Sequence, residues 1–321
     1  MSAFLKKLEA QWAKGKFVCV GLDPHLDQMP HHFLQEGISQ HLLFKFCAEI
    51  VYATASCALA FKPNIAFFER YGAKGLEVLA RLSECIRTYA PEAVLILDYK
   101  RGDIEGTNAG YIDLAFKQID ADAVTINPYL GQQANQPFLD RADRGIIVLC
   151  KTSNKGAGEF QDLVTIPPEL LNQQVGVWDH TRENERLTVG LFEDWRRQLL
   201  ASARPLYQHV AYNVKSEWNT GGNCGLVVGA TYPDDLAKVR AIVGDMPILI
   251  PGIGAQGGEL EATIRAGMDR RGYGMIVNSS RGIIHASRQP DFAEIARAKT
   301  IELHDAINAV REKVLAQRAA A

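Results

Sequence analysis

The chain has 321 residues, 47% of them hydrophobic and 22% charged, with a net charge of −2. That length accommodates one large α/β domain or two smaller ones, and the near-neutral charge leaves no electrostatic footprint for nucleic acid. The opening Met1-Ser2-Ala3-Phe4-Leu5-Lys6-Lys7 has no apolar signal core, and no stretch is long and apolar enough to span a membrane, so a cytoplasmic protein is expected.

Apolar strand, loop and amphipathic helix alternate along the chain. Strands are expected at 17–22, 56–61, 93–97, 123–127, 145–150, 224–229, 247–251 and 274–278. Several are apolar throughout, as in sheets whose two faces are both covered. Between them lie helical stripes: Leu79, Leu82 and Ile86, and near the end Leu303, Ile307, Val310 and Val314. Pro290-Asp291 supplies a cap for the helix carrying that last stripe. Eight strands alternating with helices imply a (β/α)8 (TIM) barrel, which needs about 250 residues. The excess lies after the fifth strand. The segment from about 155 to 192, with Pro167-Pro168 and the mixed polar run His180–Arg186, reads as an insertion over the barrel rim, followed by a helix from about 191 to 203. With no repeat and no linker, a single domain is expected.

The six cysteines (19, 47, 57, 85, 150 and 224) show no CxxC spacing and mostly sit in apolar runs. They read as buried free thiols of a reducing compartment, not as a zinc site or disulfide frame. His25, His31 and His32 lack acidic or cysteine partners at ligand spacing and read as surface histidines. Phe61, Phe67 and Phe68 read as core.

Polar signals gather at the C-terminal ends of the strands, where a barrel of this kind keeps its active site. Asp98-Tyr99-Lys100-Arg101-Gly102-Asp103 follows the apolar run 93–97, and Lys62 ends another such run. Side chains two apart on a strand share a face, which puts Asp98 with Lys100. Buried charges must be paired or used, so Lys62, Asp98, Lys100 and Asp103 form either a catalytic array or an ion-pair girdle. In the first case a lysine held cationic between carboxylates can protonate a developing carbanion. Pro251-Gly252-Ile253-Gly254-Ala255-Gln256-Gly257-Gly258 and Asn278-Ser279-Ser280-Arg281-Gly282 end the seventh and eighth strands. Glycine amides and an arginine there suit a phosphate. Asp23, before Pro24, is either a ribose contact or a turn residue. Ser153 either reads a base edge or caps a helix; with no acid or histidine at triad-like positions, it is not read as a nucleophile.

Asp98-x-Lys100-x-x-Asp103-Ile104-x-x-Thr107 with Lys62 upstream resembles the orotidine 5′-phosphate decarboxylase family, its longer bacterial branch in particular. Val20-Gly21-Leu22-Asp23-Pro24, Thr152-Ser153-Asn154 and the two phosphate motifs extend the likeness over about residues 17 to 285. The resemblance implies a homodimeric barrel converting orotidine 5′-monophosphate to UMP and CO2 without metal or organic cofactor. It implies that Lys100 protonates C6 and that Asp98 sits against the substrate carboxylate. Lys62 and Asp103 complete the network, with Asp103, Ile104 and Thr107 donated across the dimer interface. By the same resemblance Asp23 contacts the ribose, Ser153 the pyrimidine and Arg281 the phosphate. Gln256 bridges base and phosphate, and Gly254 belongs to the phosphate loop. The long 155–192 segment departs from the compact members and puts the form of the lid in question.

Two other readings stay open. A related barrel acting on sugar phosphates shares the Asp-x-Lys-x-x-Asp pattern but uses Mg2+, which needs a further acidic ligand not evident at the strand ends. A non-catalytic nucleotide-binding module would keep the phosphate site without needing the charge array.

Overall fold

The computed structural model describes residues 1–35, 40–166, 196–253 and 257–320. Eight parallel strands close into a barrel: β1 (Val18–Leu22), β2 (Ala60–Pro63), β3 (Val94–Arg101), β4 (Ala123–Ile126), β5 (Gly145–Lys151), β8 (Cys224–Val228), β9 (Ile248–Pro251) and β10 (Met275–Ser279). They are hydrogen-bonded in the order β1-β10-β9-β8-β5-β4-β3-β2. Two further strands, β6 (Val164–Thr165) and β7 (Arg204–Pro205), pair antiparallel outside it. Val20, Ile96, Val124, Val148, Ile250 and Val277 are all fully buried, as expected of parallel strands covered on both faces.

The end of the barrel at the strand N-termini is closed. Helix α1 (Ala3–Trp12) lies across it; its Trp12 indole N–H donates to the Met275 carbonyl at 2.8 Å, and Lys7 pairs with Asp122 at 2.9 Å. The outer layer comprises α2 (Gln40–Thr54), α3 (Ala73–Tyr89), α4 (Glu105–Asp113), α5 (Gly131–Leu139), α6 (Leu206–Asn213), α7 (Pro233–Val243), α8 (Gly257–Gly267) and α9 (Phe292–Ala319). The stripes expected from spacing face inward: Leu79, Leu82 and Ile86 are buried on α3, as are Ile307 and Val314 on α9. Leu303 and Val310 pack against the core beside them.

Three expectations need correction. The second strand starts at Ala60, not 56, because α2 runs to Thr54 and its carbonyl accepts the Cys57 and Ala58 amides in a closing turn. The third continues to Arg101 instead of ending at 97. Asp291 stands at the N-cap of α9, but its carboxylate accepts the Ser287 hydroxyl at 3.0 Å and caps no amide.

Of the expected insertion, the part inside the described residues holds a short helix, Gly158–Gln161, and β6. Pairing of β6 with β7, and the Leu206 amide donating to the Leu163 carbonyl at 2.8 Å, bring the chain back to the point where it left the barrel. Residues 167–195 lie outside the described residues; of the helix expected over 191–203, residues 196–202 are helical.

Arg240 of α7 ties the closed end of the barrel together. Its buried guanidinium donates to the carbonyls of Gly267 and Gly274 at 2.8 Å, of Met246 at 2.7 Å and of Gly244 at 2.6 Å. A buried acceptor left unsatisfied costs about 1–3 kcal/mol. Arg240→Met should therefore destabilise the fold by at least about 3 kcal/mol in urea unfolding, with several carbonyls orphaned at once; a loss indistinguishable from that of an exposed arginine would contradict this role.

Candidate active site

Adjacent strands bring the charges together. Lys62 of β2 is buried, and its Nζ donates to Asp98 Oδ2 at 2.9 Å. Lys100 donates to Asp98 Oδ1 at 2.6 Å, while its side chain stays 48% exposed toward the barrel mouth. A third donor is Thr125 of β4, whose hydroxyl reaches Asp98 Oδ1 at 2.9 Å. The same Thr125 oxygen accepts the backbone amides of Tyr99 and Lys100, each at 3.1 Å.

The local backbone is irregular in a way that serves this arrangement. The β3–β4 register shifts between Leu97 and Arg101, and Lys100 adopts the left-handed region with φ 47°. A non-glycine residue there carries strain of about 1–3 kcal/mol, and such strain persists only where surrounding contacts hold it. Here the Thr125 hydroxyl and the Asp98 carboxylate hold Lys100 from both ends. Tyr99, between the two charged residues, points outward and meets Phe138 edge-on.

Burial alone would push the Asp98 carboxyl up, but the Lys62 and Lys100 ammoniums outweigh it and hold the group far below the usual aspartate range. For Lys62, burial works to lower the pKa, and the negative charges of Asp98 and Asp23 overcome it and raise it. Both groups are thus charged across the neutral range, each because of the other.

Asp103 stands apart from these three. It makes no hydrogen bond or ion pair with either lysine; its carboxylate accepts the Ile104 amide at 2.7 Å, and its own amide donates to buried Asn108. The expected four-membered array is therefore a Lys62–Asp98–Lys100 array within one chain. The chain turns away at Gly102 and enters α4, which leaves Ile104 62% exposed and Thr107 exposed.

Asp23, at the end of β1, is half-buried, with its Oδ1 unpartnered. It lines a cavity of about 530 Å³ together with Lys62, Asp98, Pro251, Asn278 and Arg281. Arg281 opens the short helix Arg281–Ile284, is exposed, and meets no carboxylate among the described residues. Ser153, after β5, caps no helix; it packs against the backbones of Gly229 and Gly252. Gly254 and Gln256 lie outside the described residues. A larger cavity, about 1220 Å³, opens between α2, α3 and α9 around Tyr52 and Tyr89, away from every charged residue of the array.

Sequence reasoning missed three groups. Thr125 is a lone hydroxyl in an apolar strand, a signal that was available. Asn278 lines the cavity and has a buried, unpartnered Oδ1 beside Gly21. His285 places Nε2 3.2 Å from the His25 amide and 3.3 Å from the Asp23 carbonyl, beneath the Asp23 turn, and burial lowers its pKa. His25 also departs from the surface reading: its ring packs edge-on against Phe67 and lines the cavity.

A closed (β/α)8 barrel with a Lys–Asp–Lys array beside anion-suited loops at the strand C-termini is the architecture of a barrel enzyme. Comparison with known proteins narrows the class. Residues 16–295 match the orotidine 5′-phosphate decarboxylase / HUMPS family, and the chain belongs to it. It is 44% identical over 306 residues to the orotidine 5′-phosphate decarboxylase of Janthinobacterium sp. (strain Marseille), covering 95% of this chain and 98% of that one. The corresponding protein of Bordetella pertussis is 42% identical over 310 residues, covering 96% and 99%. Among solved structures, the OMP decarboxylase of Leishmania donovani superposes with a TM-score of 0.73 at 35% identity, covering 97% of this chain and 99% of that one.

The array sets a stability prediction. Asp98→Asn leaves a buried ammonium without its carboxylate, which costs roughly 3–5 kcal/mol at neutral pH. Wild-type Asp98 has a depressed pKa, so its contribution is complete above about 3.9 and is lost as pH falls through the folded value. In the variant Lys62 should lose its proton more readily in the folded state, so that the variant regains stability as pH rises toward about 10. The deficit in urea unfolding should accordingly be largest near neutrality and shrink toward both extremes; a deficit that grows with rising pH would contradict the assignment.

Proposed function

We propose that the chain converts orotidine 5′-monophosphate to UMP and CO2, the last step of UMP biosynthesis, with Lys100 as the proton donor. The observation that carries this is Asp98 held between two ammoniums at the inner end of an anion-suited cavity. The C6–carboxylate bond breaks, CO2 leaves, and the electron pair stays on C6. Lys100 then delivers its proton to C6 and is reprotonated from solvent. A carbanion of this kind is poorly stabilised in water, so fixed charges already in position are what lower the barrier. The Lys62–Asp98 pair fixes the direction from which Lys100 acts, and Thr125 fixes the backbone that carries it.

On this reading Asp98 abuts the substrate carboxylate, Asp23 accepts from the ribose, Ser153 reads the pyrimidine and Arg281 binds the phosphate. Gln256 would bridge base and phosphate, and Gly254 would belong to the phosphate motif. Asp103, Ile104 and Thr107 serve the site of a second copy in a homodimer, which agrees with their turning away from their own lysines. The chain is read as one barrel domain carrying an insertion after β5. The six unpaired cysteines agree with a cytoplasmic setting, and among the described residues no helix is long and apolar enough to cross a membrane.

The direct test is loss of orotidine 5′-monophosphate absorbance with EDTA present. Rapid conversion to UMP supports the reading; turnover that appears only with Mg2+ and a sugar phosphate, or UMP binding without turnover, overturns it. Lys100→Ala should lower kcat by at least about 10³-fold, the scale of a lost general acid in a preorganised site, while the fold and the affinity for ribose 5-phosphate stay unchanged. A variant retaining most of its activity would remove Lys100 from the role of proton donor.

A further inference from the structure

Lys151, the last residue of β5, is a buried cation that the chemistry above does not use. Its side chain is 1% exposed and its ammonium is paired with Asp162, which is itself 52% exposed. The ammonium also lies over two aromatic rings, 5.3 Å from the centre of Tyr207 and 4.9 Å from that of Tyr232. A desolvated lysine between two rings gains from both faces, but burying it is costly unless its partners are held in place. They are: the Tyr207 hydroxyl donates to Asp235 at 2.8 Å, and Asp162 sits at the end of the short helix Gly158–Gln161.

The next residue doubles the attachment. Thr152 donates its amide to Gln161 Oε1 and accepts from Gln161 Nε2 at its hydroxyl, both at 2.9 Å. Two successive residues of one strand end are thus fastened to two successive residues at the root of the insertion. The β5–β8 register shifts between Leu149 and Lys151, and the Lys151 carbonyl accepts the Gly229 amide at 2.7 Å. That places Ser153 hard against Gly229, where an added Cβ would lie 2.7 Å from the Ser153 Cβ, and 3.6 Å from the same point on Gly252. Ser153 therefore cannot drift toward β8; its place in the mouth is set by the latch behind it.

We propose that Lys151 is a positioning residue for the base end of the substrate pocket, acting through the Thr152–Ser153 turn and held by Asp162 and the Tyr207 and Tyr232 rings. The proposal rests on the reading of Ser153 as the pyrimidine contact. It joins the root of the insertion to substrate recognition, since Asp162 and Gln161 lie immediately before β6.

The test compares UMP with ribose 5-phosphate, which has no base, by titration calorimetry on the full chain. Lys151→Met and Asp162→Asn should each raise the Kd of UMP about tenfold, the scale of one misplaced hydrogen bond, and leave that of ribose 5-phosphate unchanged. Lys151→Arg, which keeps the cation and its contact with the rings, should restore UMP binding. If Lys151→Met does not fold, Asp162→Asn carries the comparison, because it removes only a half-exposed partner. Equal weakening of both ligands, or unchanged UMP binding, overturns the proposal. Ser153→Ala separates it from the reading beneath it. If Ser153→Ala weakens UMP binding, Lys151→Met should add little in that background, and full additivity overturns the proposal. If Ser153→Ala is silent while Lys151→Met remains selective for UMP, the Ser153 contact falls and the latch stands.

Discussion

One carboxylate organises the mouth of this barrel. Asp98 receives Lys62 on one oxygen and Lys100 and Thr125 on the other. Two ammoniums that close together would repel strongly in a buried site, and Lys62 could not remain charged there without the negative charge between them. Removing either lysine would leave Asp98 with one ammonium in place of two, a neutral pair in place of a net positive array. The three groups are mutually dependent, so the array is rigid in charge as well as in position. The left-handed backbone at Lys100 is the structural cost of bringing its side chain back onto Asp98, offset by the two amide bonds to Thr125.

The scaffold makes that rigidity possible by giving the two ends of the barrel different tasks. Helix α1 and the Arg240 hub close the strand N-termini with apolar packing and saturated carbonyls. Nothing comparable covers the strand C-termini among the described residues, so polar side chains there are free to meet a ligand. Three neighbouring strands deliver Lys62, Asp98 and Thr125: Asp98 bridges to Asn64, two residues beyond Lys62, and lies one residue past the Leu97–Val124 pairing. The excess chain is confined to one crossover, between β5 and β8, and β6 with β7 pin its two ends together. An insertion rooted this way can vary without disturbing the barrel, except through the residues that tie it to β5.

What could be read in the sequence follows from how local each signal is. The eight strands, the helical stripes and the polar strand ends depend on residues close in the chain, and they emerged with boundaries off by a few positions. The Asp98–Lys100 pairing was legible from spacing, although the two-residue repeat assumed a regular strand and the structure reaches the same pairing through a register shift. Asp103, which follows on the loop, stands apart from the lysines of its own chain because the backbone twists at Lys100 and turns at Gly102 before it. What Thr125, His285 and Lys151 face was illegible for another reason. Their partners lie 27, 262 and 11 residues away, on the neighbouring strand, across the β1–β10 seam and at the end of the short helix after β5, and only the folded chain brings them into contact. A hydroxyl or a lysine in an apolar strand is visible in sequence; what it faces is not.

The charge balance of the single chain bears on what the proposed second copy would add at the site. Lining the cavity, Lys62, Arg281 and Lys299 balance Asp98, Asp23 and Glu302, and Lys100, bonded to Asp98 beside it, adds an excess of one positive charge. A phosphate and a carboxylate bring more negative charge than that excess. On the proposed reading exposed Arg281 takes the phosphate, which leaves the carboxylate to approach Asp98. If Lys100 answered only to Asp98, the approaching anion would compete for its ammonium and draw it away from C6. A further carboxylate on the far side of Lys100 would hold it in line, and the chain's own Asp103 is turned out of reach, beside exposed Ile104 and Thr107. The same turn that withdraws Asp103 from its own lysines leaves it partly exposed, which is what the proposed sharing of sites between two copies would use.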